Sequence, residues 1–220
     1  MKIQQSKSAR SKHSLSFYMV ITAVLSLLPV SSHAAVFWDD EMEPGNTGYG
    51  TVMPTTGGFD NTVKFSGAAS LREDFNGTTQ GGFEDRTLPA TDDLWSRFYI
   101  RLSPGFVVAN QTKIMRNDTN TGLMHWWGML FGGRSVTVQL QNYPTNGDTV
   151  NFYPNVGDGI LTDNQWICIE TRIKNNTVGQ ADGIVEAYKN GALFMYHAGL
   201  EIRKASQGTQ NAQFVSNRMY

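Results

Sequence analysis

Between residues 164 and 200 the chain reads NQWICIETRIKNNTVGQADGIVEAYKNGALFMYHAGL, a stretch that few folds can house. Asp163 and Asn164 mark a turn, and apolar and polar residues then alternate. Ile167, Ile169 and Ile173 point one way; Cys168, Glu170, Arg172 and Lys174 point the other. Residues two apart share a face of a strand, so the spacing predicts a strand with one buried side. The polar segment 175–183 cannot continue it and is a loop. A second β-prone run, 184–189, meets Asn190-Gly191, and 192–197 follows. Asn-Gly between two such runs predicts a hairpin, because both central residues of a type I′ turn need positive φ. Strand, polar loop and hairpin together commit this region to antiparallel β structure.

The rest of the chain follows suit. No stretch after the N-terminal segment holds a sustained 3.6-residue apolar period. Candidate strands fall at 36–42, 70–75, 94–102, 112–116, 124–131, 135–143, 150–153, 165–174, 183–189 and 192–197. Glycine pairs at Gly57-Gly58, Gly81-Gly82 and Gly132-Gly133 punctuate them. Short strands with turn signals between them are the pattern of an all-β, two-sheet antiparallel sandwich. The sequence ends on Asn217-Arg218-Met219-Tyr220, which reads like the start of one more strand. Either the closing strand is truncated or the sheet closes differently, and a truncation would leave an open edge.

The first 34 residues read as a leader. Lys2, Lys7, Arg10 and Lys12 precede an apolar run at 15–30, and Ser32-His33-Ala34 places small residues where a signal peptidase reads. Residues 1–34 are therefore expected to be a signal peptide, and 35–220 one domain. The apolar run is short and serine-interrupted for a membrane span. The expectation is a secreted or periplasmic protein with no membrane association after cleavage; the competing reading is a single anchoring helix. Losing those four cations, and no acid, leaves fourteen Lys and Arg against nineteen Asp and Glu, a net charge of −5. That balance speaks against a nucleic-acid partner. Cys168 is the sole cysteine, so no intramolecular disulfide can form and the core must hold an exported chain, with or without a metal.

Alternation also sorts the candidate site residues. Phe98, Ile100 and Leu102 suit the core, which sends Arg97, Tyr99 and Arg101 to the opposite face. Lys113 is exposed beside Ile114, and Gln139 and Gln141 alternate with Val138 and Leu140 on the polar side of their strand. Trp126 and Trp127 must face opposite ways, one into the core, with His125 beside them. Several enzyme classes are excluded. No Glu-x-Asp-x-Glu run flanks a glycosidic bond with two acids. No His-Glu-x-x-His is present for zinc, and no Gly-x-Ser-x-Gly elbow.

The pattern Trp166-x-x-x-Glu170, Lys174-Asn175-Asn176-Thr177-x-Gly179-x-x-Asp182-Gly183, Tyr188-Lys189-Asn190-Gly191 resembles the late core strands of concanavalin A-like jelly rolls. More narrowly, it is similar to secreted bacterial polysaccharide lyase-like members, the alginate and glucuronan lyase relatives. The resemblance implies an extracellular polysaccharide as partner and, for a catalytic member, β-elimination on a uronic-acid polymer. On that reading one dished sheet face presents Arg97 and Arg101 as carboxylate clamps, with Arg72, Gln139, Gln141 and Trp127 as further substrate contacts. Arginine holds a carboxylate through paired hydrogen bonds, and an aromatic ring covers a sugar's C–H face. Tyr99, Lys113 and His125 are the groups able to take the C5 proton. Arg72, in Leu71-Arg72-Glu73, resembles the family's early substrate-sheet motif. The Gln-x-His strand of such lyases is not evident; Lys113-Ile114-Met115-Arg116 stands in its place. Asp39, Asp40 and Glu41 resemble the acidic first strand that holds a structural Ca²⁺ in related proteins, hard oxygen ligands suiting that ion; a solvated acidic turn is the plainer reading. No cofactor is required. The alternative function is a non-catalytic carbohydrate-binding or adhesion domain.

Overall fold

The computed structural model describes residues 57–74, 84–108, 110–142 and 148–219, all within the unit Val36–Tyr220. The expected leader and the expected strand at 36–42 lie outside the described residues. The strands are β1 (Gly57–Asp60), β2 (Ser70–Glu73), β3 (Glu84–Thr91), β4 (Asp93–Ile100), β5 (Gln111–Thr119), β6 (Met124–Phe131), β7 (Ser135–Asn142), β8 (Asp148–Phe152), β9 (Ile167–Lys174), β10 (Gly183–Lys189), β11 (Ala192–Leu200) and β12 (Phe214–Met219). A four-stranded sheet runs β11-β10-β9-β4, a six-stranded sheet runs β3-β12-β5-β6-β7-β8, and β1-β2 form a small separate pair. Every strand pairing is antiparallel. Among the described residues no helix is long and apolar enough to cross a membrane.

The alternation in β9 does what its spacing predicts. Ile167, Ile169, Thr171 and Ile173 are buried, and the residues between them are half-exposed. Register carries that face to Leu94, Phe98 and Ile100 of β4 and to Val185 and Ala187 of β10. From the six-stranded sheet Ile114, Met124, Trp126, Leu130, Val136, Val138, Leu140, Phe152 and Phe214 join the same apolar cluster. Two inner faces share one core, the layering of a sandwich. Trp126 is fully buried and stacks on Phe152 at 5.8 Å between ring centroids. Each fully buried aliphatic or aromatic side chain there is worth roughly 1.5–3 kcal/mol over exposure.

The expected hairpin forms. Asn190 and Gly191 have φ of 51° and 79°. The Asn190 side chain accepts the Cys168 N–H at 2.9 Å, and its own N–H donates to the Cys168 carbonyl at 2.9 Å. The turn thus pins β10 and β11 to the start of β9. The polar loop 175–183 is organised around Asn176, which is fully buried. Its Oδ1 accepts the N–H groups of Ile202 (2.8 Å) and Arg203 (2.6 Å), and its Nδ2 lies within reach of the carbonyls of Thr177, Gln180 and Arg203. Asp182 closes the loop by accepting the Thr177 N–H at 2.6 Å. Gly183 follows because a Cβ there would stand 2.8 Å from the Leu200 carbonyl oxygen.

Three strands escape the sequence pattern. β1 lies where Gly57-Gly58 predicts a turn, and β3 carries Pro89 and charged residues. β3 is tolerated because, among the described residues, it pairs only with β12 at the end of its sheet, where proline costs no inner ladder bond. β12 extends from Phe214 through the expected closing segment and is paired on both sides, with β3 and β5. Of the two alternatives left open there, the described residues show a paired closing segment: β12 is an inner strand of its sheet.

Candidate functional site

The face of the six-stranded sheet turned away from the core gathers polar side chains from four adjacent strands. Cross-strand register sets them in rows: Lys113 and Thr137 flanking Met129; Arg116, Trp127, Gln139 and Asn151; and Asp118, His125, Gln141 and Thr149. Rows along a strand recur every two residues, about 7 Å. Lys113 and Arg116 are three positions apart, which strict alternation would place on opposite faces. A bulge between Lys113 and Met115 resets the alternation and returns Arg116 to the face of Lys113. Gly128 faces Met115, where an added Cβ would lie 3.2 Å from the Met115 Cβ. The glycine leaves room for the bulge.

Hydrogen bonds link the rows. Trp127 Nε1 donates to Gln141 Oε1 at 2.9 Å, Gln141 Nε2 to Gln139 Oε1 at 3.0 Å, and Gln139 Nε2 to Asn151 Oδ1 at 2.8 Å. The chain of amides fixes which way each Gln faces. Arg116 Nε donates to Asp118 Oδ1 at 2.5 Å, and its NH2 lies 2.8 Å from His125 Nδ1. His125 Nδ1 also contacts Asp118 Oδ1. A carboxylate can only accept, so the Asp118 contact asks for a proton on Nδ1, whereas the Arg116 guanidinium can only donate and asks for a lone pair on the same atom; Nδ1 serves one of the two at a time. Burial pushes the Asp118 carboxyl upward, but the hydrogen bonds from His125 and Arg116 outweigh it, and the net shift is below the ordinary carboxylate value. Lys113 Nζ sits 4.0 Å from the centre of the Trp127 ring, with the Arg116 guanidinium 4.9 Å from the same ring. Burial first, and the Arg116 charge second, hold the Lys113 ammonium below its ordinary range. Among the described residues no carboxylate forms an ion pair with Lys113.

Of the residues expected to form the site, Lys113, His125, Trp127, Gln139 and Gln141 are brought together here. The split of the two tryptophans is as alternation requires, Trp126 inward and Trp127 on the polar face. Trp127 is only 4 % exposed, so its ring is a floor under Lys113 and Arg116 and not a free stacking surface. Arg97, Tyr99 and Arg101 are not part of this face. Alternation turns them away from the core as expected, but β4 belongs to the other sheet, so they lie on the outer wall. Arg97 is bound to Glu170 at 2.5 Å, Arg101 to the Asn164 side chain, and Tyr99 stacks on Phe65 at 4.0 Å. The single dished surface holding these three with Lys113 and His125 is therefore corrected, and the carboxylate-clamp argument resting on β4 falls with it. Arg72 is held in the β1-β2 pair, 3.0 Å from Asp74 and 3.7 Å from Asp60. Asp39, Asp40 and Glu41 lie outside the described residues, and among those described no cluster of three or more metal-ligating side chains forms.

Arg116, Asp118 and Asn151 complete the face and were not expected from the sequence. The available signal was a repeated i, i+2 spacing on consecutive strands: Arg116 with Asp118, His125 with Trp127, Gln139 with Gln141.

No protein-family model matches this sequence, and no curated protein resembles it significantly in sequence. Structural similarity is clear. An endo-β-1,4-glucuronan lyase from the fungus Trichoderma reesei superposes with a TM-score of 0.59 at 13% identity, over 79% of this chain and 79% of that one. The alginate lyase vAL-1 from a Chlorella virus gives 0.52 at 14% identity, over 63% of this chain and 66% of the viral one. The fold is a concanavalin A-like jelly roll. At these identities the likeness is one of architecture. The polar face described above is one broad face of the larger sheet of this jelly roll, and β4 lies in the smaller sheet.

Proposed function

We propose that this protein is exported and binds a uronic-acid polysaccharide along the polar face of its six-stranded sheet, cleaving it by β-elimination. The observation that carries the reading is the placement of His125: one ring nitrogen contacts Asp118 and Arg116, and Gln141 lies directly across the strand pair. β-Elimination needs a base at the C5 hydrogen and cationic or amide groups at the adjoining carboxylate. His125 Nε2 takes the C5 proton, the C–H electrons form the C4–C5 double bond, and the C4–O bond breaks. The imidazolium returns the proton to the departing oxygen. Arg116, Lys113 and the paired amides of Gln139 and Gln141 supply the groups that counter charge on the carboxylate. The fold shared with glucuronan and alginate lyases supports the substrate class, and the basic, apolar and small-residue order of residues 1–34 supports export.

The test is ultraviolet absorbance by the unsaturated product over alginate, glucuronan and glycosaminoglycans. Product should appear with at least one polymer and fall by about 10²–10⁴-fold in His125→Ala. Lys113→Ala should chiefly weaken substrate binding. No product on any polymer, with retention on a polysaccharide gel, would reassign the protein as a non-catalytic carbohydrate binder. Full turnover in His125→Ala together with its loss in Lys113→Ala would move the base to Lys113.

A further inference from the structure

The outer wall of the four-stranded sheet is covered with rings. Trp95 and Tyr99 of β4 are each 45 % exposed and Tyr196 of β11 is 43 % exposed. Trp95 stacks with Tyr188 of β10, ring centroids 6.0 Å apart and planes 26° apart, so the two rings reach toward each other over β9. Tyr99 stacks with Phe65, which is 53 % exposed. Trp95 and Tyr99 are four residues apart on one strand, about 13 Å. The two ring pairs thus stand at the separation of sugars within a short oligosaccharide.

Charge decides what such a wall accepts. The cations of its strands are matched, Arg97 with Glu170, Arg172 with Asp93 and Glu186, Lys174 with Asp182, while Arg101, one residue past β4, is held by the neutral Asn164 side chain at the rim. Arg172 holds Asp93 through two bonds of 2.9 and 2.8 Å and lies 5.4 Å from the Trp95 ring, and Tyr188 donates to Glu186 at 3.0 Å. Those bonds fix the rings and leave no unmatched cation on these strands for an anionic polymer, unlike the face that carries Lys113. Exposed apolar rings set among neutralised charges suit the C–H faces of uncharged sugar rings. We propose that this outer wall is a second glycan-binding surface, for a neutral polysaccharide, separate from the polar face of the larger sheet.

The experiment uses the chain without residues 1–34, with microcrystalline cellulose, insoluble mannan and insoluble xylan as probes in depletion assays. Sedimentation velocity is run alongside. At least one probe should retain the protein. Trp95→Ala and Tyr188→Ala should each weaken that retention roughly tenfold, the loss expected from one half-exposed ring, with unchanged thermal midpoints. His125→Ala should leave retention intact. Tyr99→Ala, at the other ring pair, should weaken retention as well and serves where a Trp95 variant fails to fold. Failure of all three neutral probes would overturn the proposal, as would retention indifferent to Trp95, Tyr188 and Tyr99. A wild-type dimer that Trp95→Ala converts to monomer would assign the wall to a second copy of this chain and overturn it too.

Discussion

Replacing Asn176 by alanine should be among the most damaging single changes in the loop that opens the C-terminal hairpin. The side chain is fully buried, accepts two backbone N–H groups, from Ile202 and Arg203, and has three carbonyls within 3.1 Å of its Nδ2. Two amide hydrogens cannot serve three carbonyls at full strength, so four full bonds are a fair reckoning. At about 1 kcal/mol net for each, the loss is about 4 kcal/mol, with the two orphaned N–H groups the costlier half. For a domain of this size that is a fall in Tm of about 8–16 °C. Urea titration followed by intrinsic tryptophan fluorescence measures it, with a lower midpoint at unchanged slope as the expected result. Asn176→Asp keeps the oxygen that accepts both N–H groups but turns a second oxygen, unable to donate, toward the three carbonyls in a fully buried site. It should lose at least as much as the alanine variant. Val178→Ala, on the exposed part of the same loop, should stay within about 0.5 kcal/mol of wild type. A loss under about 1 kcal/mol in Asn176→Ala would mean that water or loop movement replaces those bonds, and the claim that Asn176 organises the loop would fail.

Two further predictions concern the polar face. Asp118 has a folded-state carboxyl below its ordinary value, so its contribution is present above the unfolded value of about 3.9 and lost as pH falls through the folded one. Asp118→Asn should therefore be less stable than wild type at neutral pH, with the gap closing on acidification, read from urea midpoints at several pH values. Lys113 is also shifted downward, by burial first and the Arg116 charge second; for a base this means that stability attributable to it rises with pH between the folded and unfolded values. Lys113→Met, which can keep its stem on Trp127, should be more stable than wild type at pH 7 and lose that advantage as pH climbs toward the ordinary lysine value. Its binding to a uronate polymer should weaken at the same time.

The fold was legible where side-chain pattern and turn chemistry agree. Ile167, Ile169 and Ile173 mark the buried row of β9, and Asn190-Gly191 marks the hairpin after β10. β1 and β3 were not legible, because glycine, Pro89 and charge argue locally for coil while strand pairing decides otherwise. The site was half legible for a geometric reason. Alternation tells which side of a strand Arg97 and Tyr99 occupy, and that was right; only the pairing of β4 with β9 tells which sheet they belong to. Arg116 was hidden by the bulge after Lys113, since a register reset leaves no mark in the order of residue types.

The position of β12 has a consequence for how the molecule assembles. Among the described residues β3 has no strand neighbour except β12, and β12 pairs Phe214 with Thr119 of β5 across about half of the unit Val36–Tyr220. Until residues 214–219 arrive, β5 offers bare backbone along one side and β3 lacks the strand partner it has among the described residues, although the meander from β5 to β8 can already form from near neighbours. Contacts between such distant segments are slow to close. A waiting β5 is then the place where a stalled or shortened chain would pair with another molecule instead of with itself.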